Sequence, residues 1–390
     1  MTALRRLPAG LAHPFSPAGR SDPYPAYDWL RANDPVHFDV TSRMWLLTAH
    51  EHCASALKDP RFSAALGQRE RVRDDDLPAS MLTTDPPDHN RLRAPGMALL
   101  GPAAVRELAC DLAAVVDGLL DGLGGLTGTA EVTRQLGEPF ATGVLARTLL
   151  LPREDEAAFA DLARRASVNL DPLAGPQAAR EGRAAMGELT RFLAAHVARG
   201  PGGPIARLAA DDRLTRPEML GILSLAVVGG WRPLAEMVGN ALFWLLPRPE
   251  ALAALRDGGD DLARTAVDEL LRLEAPIPFT ARVTTAEVSF GDAVIPAGAR
   301  VLAVVAAANR DPDVFDQPGE LVLTRSPNPH LAFGAGTHFC LGAPLVRQAG
   351  ALLLRGLAGR FPAIRADGDP PAWAPVLVPR RLGEFRIRLS

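Results

Sequence analysis

Lysine is almost missing from this chain: Lys58 is the only one among 42 basic residues, and the rest are arginine. With so much alanine, glycine and proline around it, this bias points to GC-rich coding rather than to chemistry. The net charge is −3, so no basic surface marks a nucleic-acid partner. Cysteine is scarce too. Cys53, Cys110 and Cys340 are too few and too scattered for a disulfide framework or a zinc cluster. Gly/Ser linkers, low-complexity tracts and long charge runs are missing, so residues 1–390 read as a single domain. At 47% hydrophobic, the chain has ample material for one core. The opening "MTALRRLPAGLAHPFSPAGR" has no apolar h-region, and residues 1–20 are expected to be loosely ordered. The most apolar run, 219–246, is interrupted by Gly229, Gly230, Trp231, Arg232 and Pro233 and reads as a core helix, not a membrane span. The expected location is the cytoplasm, with no membrane partner.

What is present is mostly helical periodicity. "PVHFDVTSRMWLLTAH" (35–50) alternates and turns near 41–43, which predicts a hairpin. From about 100 to 275 the pattern is helical almost throughout, broken by turns such as "GLGGLTG" and "RGPGGP". Thr215, Pro217 and Glu218 open the central helix as a capping box. "LARTAVDELLRLEAP" is a further helix stopped by Pro276, after which 281–309 reads as short strands and turns. Helix returns after Cys340, and "LGEFRIRLS" closes as a strand. The sum is a mainly α fold with a small β region.

"HLAFGAGTHFCLGAPLVRQ" (330–348) is the most informative stretch. Gly334 and Gly336 permit a tight loop with unusual dihedrals. Cys340 lies just before a helix, where free N–H groups favour a thiolate. Gly342 leaves room for a flat ligand. A single thiolate with no second metal ligand beside it suits one axial bond to haem iron. A bare cysteine would read as a small buried hydrophobe. The whole run "FGAGTHFCLG" (333–342) instead resembles the haem-thiolate loop of the cytochrome P450 family.

Further matches spread across the chain carry the same resemblance. "DELLR" places Glu269 and Arg272 three apart on one helix face; alone this reads as an ordinary surface pair. The resemblance implies a buried network supporting the cysteine loop. "DPPDHNRLR" places His89 and Arg93 four apart, and the resemblance implies that they bind a haem propionate, for which charge-assisted pairing is the right chemistry. Arg282 and His338 match further propionate donors, and "ANRDP" (308–312) and "NPHLAFG" (328–334) also follow the family. The resemblance runs from about residue 20 to the C-terminus. It implies a cytochrome P450 fold with haem b held between the central long helix and the cysteine-loop helix, and Cys340 as the metal ligand. It is closest to the soluble bacterial type, so electrons are expected from a separate ferredoxin and its reductase.

The central helix departs from the family. Where an acid and an alcohol usually deliver the protons for O–O cleavage, "GGWRP" (229–233) sets Arg232 and Pro233. Arginine stays protonated, and proline has no hydroxyl and no N–H for the Gly229 carbonyl. Three readings of Arg232 stay open: an internal ion pair with Glu236 or another acid, an anchor for a substrate carboxylate, or a side chain turned elsewhere. An Arg-Pro pair at this place resembles the peroxide-using fatty-acid members, where the substrate acid replaces the missing relay. Hydrogen peroxide is thus a second candidate oxidant. Trp231 reads as helix packing.

By the family's register Leu225, Val228 and Gly229 line the substrate pocket with Arg232, and Pro233 joins the catalytic set. Ile277, Pro278 and Phe279 border it, and "GQRERVRDDDLPAS" (67–80) falls at the variable substrate loop. Two functions follow. One is an oxidative enzyme of specialised metabolism acting on a small molecule, a carboxylic acid or a carrier-bound compound included. The other is a family member without oxygen activation that binds, recruits or rearranges.

Overall fold

Thr215 begins the longest helix, Arg216–Leu245, by closing the capping box read from the sequence. Its hydroxyl accepts from the Glu218 N–H, and the Glu218 carboxylate accepts from the Thr215 N–H at 2.8 Å. Nearly every side chain from Leu234 to Leu242 is buried, so this helix is the axis of the main core. Pro233 does not end it: the helix runs through the proline. Packing on both sides holds the turn that loses its hydrogen bond.

This computed structural model describes residues 7–65, 80–125, 128–171 and 174–389. Of the expected variable loop 67–80, residues 67–79 fall outside the described residues. Helices dominate, as the periodicity predicts, and three small sheets make up the β region.

The hairpin forms as read, with β1 (Val36–Asp39) antiparallel to β2 (Met44–Leu47) and Arg43 at φ +57° in its turn. A short β3 (Phe62–Ser63) follows, and then β4 (Thr129–Glu131). The stretch after Pro276 gives β5 (Thr280–Thr284), β6 (Val288–Phe290), β7 (Ala293–Ile295) and β8 (Arg300–Ala303). Their expected continuation to 309 is instead a helical turn, Val305–Ala308, fully buried and rich in alanine. β9 (Arg365–Ala366) and the expected C-terminal β10 (Arg386–Arg388) complete the set. The largest sheet has the order β1-β2-β8-β5-β3 and seats Arg282 opposite Val301 on an inner strand. β10 pairs with both β4 and β9, closing the C-terminus onto the start of the helical region.

The N-terminal segment is more ordered than its composition suggests. Ser16 caps a helix at Pro17–Ser21, and the His13 ring bonds Asp39 at 3.0 Å. Arg20 donates to the Pro375 carbonyl, which ties the segment to the far end of the chain. Of the expected loose stretch 1–20, residues 1–6 fall outside the described ones.

Candidate active site

Gly334 and Gly336 adopt φ of +71° and +68°, a region that disfavours any side chain. A Cβ on Gly336 would also lie 2.5 Å from the Leu57 carbonyl, so only glycine lets this loop seat on the neighbouring helix. The loop folds back on itself, and the Cys340 N–H donates to the Phe333 carbonyl at 2.8 Å. The helix Ala343–Arg360 begins three residues later. Burial pushes the Cys340 thiol up, opposed by the N–H groups of Gly342 and Ala343 and by the charges of Arg93 and Arg347. The helix start therefore favours a thiolate without securing one, and a bound metal cation would supply what is lacking. Among the described residues no group of three or more His, Cys, Asp or Glu could hold a metal ion.

The Glu269–Arg272 pair is fully buried, with Nε to Oε2 at 2.8 Å and Nη2 to Oε1 at 2.9 Å. Arg272 spends its remaining donors on the carbonyls of Asn309, Pro318 and Glu320. Glu269 also accepts from the Val322 N–H, Arg325 and Asn328. Every hydrogen-bonding group of a buried ion pair needs such partners if the pair is not to cost stability. From Asn309 the network continues: its side-chain oxygen accepts the Leu331 N–H at 2.7 Å, at the base of the cysteine loop. Arg347 on the helix after Cys340 pairs with Asp268 and stacks over Phe333, so the acid–arginine helix grips the loop from both sides.

Four side chains read as propionate donors meet although they come from three parts of the chain. The rings of His89 and His338 are 4.2 Å apart. His89 is wholly buried, and its Nε2 has no hydrogen-bond partner. Burial, together with the charges of Arg282 and Arg93 and neighbouring His89, pushes His338 down to about 4. Burial likewise lowers Arg93 and Arg282. Arg282 donates only to Thr280 and the Ala281 carbonyl, and among the described residues no acid forms an ion pair with Arg93 or Arg282. The acid felt nearby is Asp85, which already accepts from Ser63 and the Ala64 N–H. Two arginines drawn in from water beside two histidines of lowered basicity are short of counter-charge, which is costly unless carboxylates arrive from outside. Haem brings two, so the residues present fit it. Sequence reading did not single out Asp85, although it begins the "DPPDH" motif.

On the central helix Leu225, Gly229, Arg232 and Glu236 are spaced four, three and four, so they share one stripe. Leu225 is half-buried and Gly229 is exposed in the middle of a core helix, so open space lies over it. A Cβ there would meet only Leu225 within 4 Å. Pro233 is half-buried beside it. Val228, expected in the pocket, is instead closed into the main core. Ile277 is half-buried and Pro278 buried. Phe279 does not join them: its ring packs edge-on against Phe15 at 6.1 Å in a separate cluster. Trp231 is core, donating to Thr142 at 3.0 Å.

Arg232 is paired internally. Its Nη2 lies 2.8 Å from Glu236 and its Nη1 3.1 Å from Glu138. The substrate-anchor reading rested on an arginine left unpaired in a dry pocket, and two carboxylates already meet that need. Glu138 arrives because Gly137 has no side chain: a Cβ there would lie 2.4 Å from the Ala235 carbonyl. This close approach sets the start of the helix Glu138–Thr148 against Arg232. No sequence periodicity links residues so far apart.

The sequence profile of the family described as Cytochrome P450 matches residues 261–363. The chain is 37% identical to the nocardicin C N-oxygenase of Nocardia uniformis subsp. tsuyamanensis, over 92% of this chain and 93% of that one. It is 34% identical to the cytochrome P450 monooxygenase PikC of Streptomyces venezuelae, over 94% and 91%. Its fold superposes with a TM-score of 0.86 on P450BioI, solved in complex with a hexadec-9Z-enoic acid ligated acyl carrier protein. That match covers 95% of this chain and 99% of that one at 30% identity. Among the described residues no helix is long and apolar enough to cross a membrane.

Proposed function

The chain belongs to the cytochrome P450 family and is an oxidoreductase of the monooxygenase type, and we propose that it carries haem b on Cys340 and oxidises a small organic molecule of specialised metabolism. The observation that carries the haem reading is the convergence of His89, Arg93, Arg282 and His338 without matching acids.

Haem, when bound, supplies the dioxygen chemistry, in which one oxygen atom enters the product and the other becomes water. This chain's residues do the rest. Cys340 would offer its thiolate to the iron from the end of a loop fixed by Phe333, Asn309 and the Glu269–Arg272 network. His89, Arg93, Arg282 and His338 would hold the group by its carboxylates. Leu225, Gly229 and Ile277 shape the space where a substrate would sit, and Pro233 narrows it without donating a hydrogen bond. Arg232 stays with Glu138 and Glu236 and neither carries protons nor binds a substrate acid.

That pairing favours a ferredoxin and its reductase as the electron source, since the peroxide reading relied on a free arginine. The substrate is free or carrier-borne. The likeness to a structure holding an acyl carrier protein supports the carrier-borne form, and the small-molecule relatives support the free one.

The test uses the purified haem-loaded chain with ferredoxin, reductase and NADPH. Small neutral compounds, free carboxylic acids and acyl groups on a carrier protein are offered in parallel, and each is repeated with hydrogen peroxide alone. Product that needs NADPH supports the reading. Product with peroxide and free acids, lost in Arg232→Ala, would restore the anchor reading. A normal ferrous–CO spectrum with no NADPH consumption on any compound would favour a protein that binds or rearranges instead. Cys340→Ala is expected to abolish the thiolate-type Soret shift.

A further inference from the structure

The acid and the alcohol that would hand protons to the pocket are absent, yet a carboxyl lies one turn further along the same stripe. Glu236 is 2% exposed, and its Oε1 has no aligned hydrogen bond although Arg232 Nη2 is 2.8 Å away. The contact is electrostatic, not directional. Side chains on a helix lean toward its N-terminus, so Glu236 covers the turn that holds Arg232 and Pro233. That is also where Pro233 leaves the Gly229 carbonyl without its donor. Gly229, exposed, is about 10 Å further back along the axis.

Glu236 is buried, and charged groups surround it from several elements. The charges around it are Arg232 on its own helix, Glu138 on the helix it packs against, Glu131 on β4, and Arg381. Glu131 lines a polar cleft of about 420 Å³ with Thr129, Arg134, Gln135, Glu384 and Arg386. The buried Glu236 carboxyl is thus within electrostatic reach of Glu131, which borders that cleft, and shares a helix stripe with exposed Gly229.

We propose that Glu236 is the proton-holding group of this enzyme, passing protons from the Glu131 cleft to the space over Gly229 in place of the missing acid and alcohol. The inference rests on the monooxygenase reading. That reaction joins substrate, dioxygen, two electrons and two protons into oxidised product and water, with the electrons coming from the ferredoxin. Glu236 releases the proton of its carboxyl O–H and takes another from solvent, so it is unchanged over a cycle. Burial pushes its carboxyl up to about 7, against the pull of Arg232 and Arg381, so both protonation states are populated at working pH. Arg232 holds the carboxyl in place, and Glu138 balances the arginine when Glu236 is protonated.

The experiment compares wild type, Glu236→Gln and Glu236→Asp as haem-loaded chains. One readout is the infrared carboxyl band between pH 5 and 9, taken as wild type minus Gln. The other is NADPH consumption and peroxide release with ferredoxin and reductase over the same range. The proposal expects a band that titrates near neutrality. It also expects a roughly hundredfold slower, pH-insensitive reaction in Gln, with partial rescue and a shifted pH profile in Asp. A carboxylate ionised at every pH overturns it, as does a Gln variant with wild-type rate and profile. If Gln does not retain haem, Asp decides, and an unchanged profile overturns the proposal. Wild type that consumes no NADPH overturns the monooxygenase reading and this inference together, whereas an active wild type with an indifferent Gln variant overturns this inference alone.

Discussion

The rings of His89 and His338 lie 4.2 Å apart, tilted by 57°, with Arg93 and Arg282 among the charges acting on His338. Groups that would repel one another when charged are packed together, and among the described residues Asp85 is the acid that offsets Arg282 and His338. Such an arrangement serves a ligand at the expense of the empty protein.

The first prediction follows from that trade. Arg93→Gln removes one half-buried cation that no acid among the described residues pairs with. Haem should be held about 10- to 100-fold more weakly, the loss of one charge-assisted hydrogen bond. The haem-free chain should melt no lower than wild type, and higher at low ionic strength. Haem transfer to apomyoglobin and thermal melts of the haem-free chain measure the two. A variant that melts lower and keeps its haem would show Arg93 to be structural.

The second concerns Glu269, whose carboxylate is shared by Arg272, Arg325, Asn328 and the Val322 N–H. Glu269→Gln leaves two guanidinium groups without their charge partner in a buried site. The expected cost is about 3–5 kcal/mol in urea unfolding of the haem-free chain. Arg272→Lys should cost a similar amount, because an ammonium cannot reach the carbonyls of Asn309, Pro318 and Glu320 at once. A change under 1 kcal/mol in both would mean that the pair is replaceable by packing.

These two networks differ in how far the sequence discloses them. Glu269 and Arg272 share a helix face, and His89 and Arg93 share another, so spacing alone brings each pair together. The cysteine loop is legible because its glycines must be glycines, as the Leu57 carbonyl against Gly336 demonstrates. Arg325 and Asn328 reach Glu269 from a loop with no periodicity, and Glu138 reaches Arg232 through a contact made at Gly137. Contacts set by how elements dock leave no local pattern. The packing of Phe279 on Phe15 is hidden for the same reason, because Phe15 lies in a segment expected to be loose.

The third prediction is a pH dependence. The Glu236 carboxyl is raised by burial from an ordinary value of 4.5 to about 7. Below 4.5 it is protonated in folded and unfolded chains alike. Between 4.5 and 7 the unfolded chain gives up the proton while the folded one keeps it, so stability falls as pH rises through this window and then levels off. The drop is roughly 3 kcal/mol for this group. Denaturant midpoints at pH 5 and 8 should differ in wild type and converge in Glu236→Gln. An equal difference in both proteins would assign the slope to other groups.

The last prediction asks why proline stands in the middle of a thirty-residue helix. Pro233 supplies no N–H to the Gly229 carbonyl, yet the helix continues and the residues after it are buried. If the proline is kept for the pocket rather than for stability, Pro233→Thr should stabilise the fold by about 1–3 kcal/mol, because it restores a donor and relieves the ring's crowding. It also sets a hydroxyl beside exposed Gly229 and the Arg232–Glu236 pair. A melting temperature that rises while NADPH consumption changes would separate the two roles. A variant that melts lower would mean that the local backbone has relaxed around the ring, so that a normal donor no longer fits there.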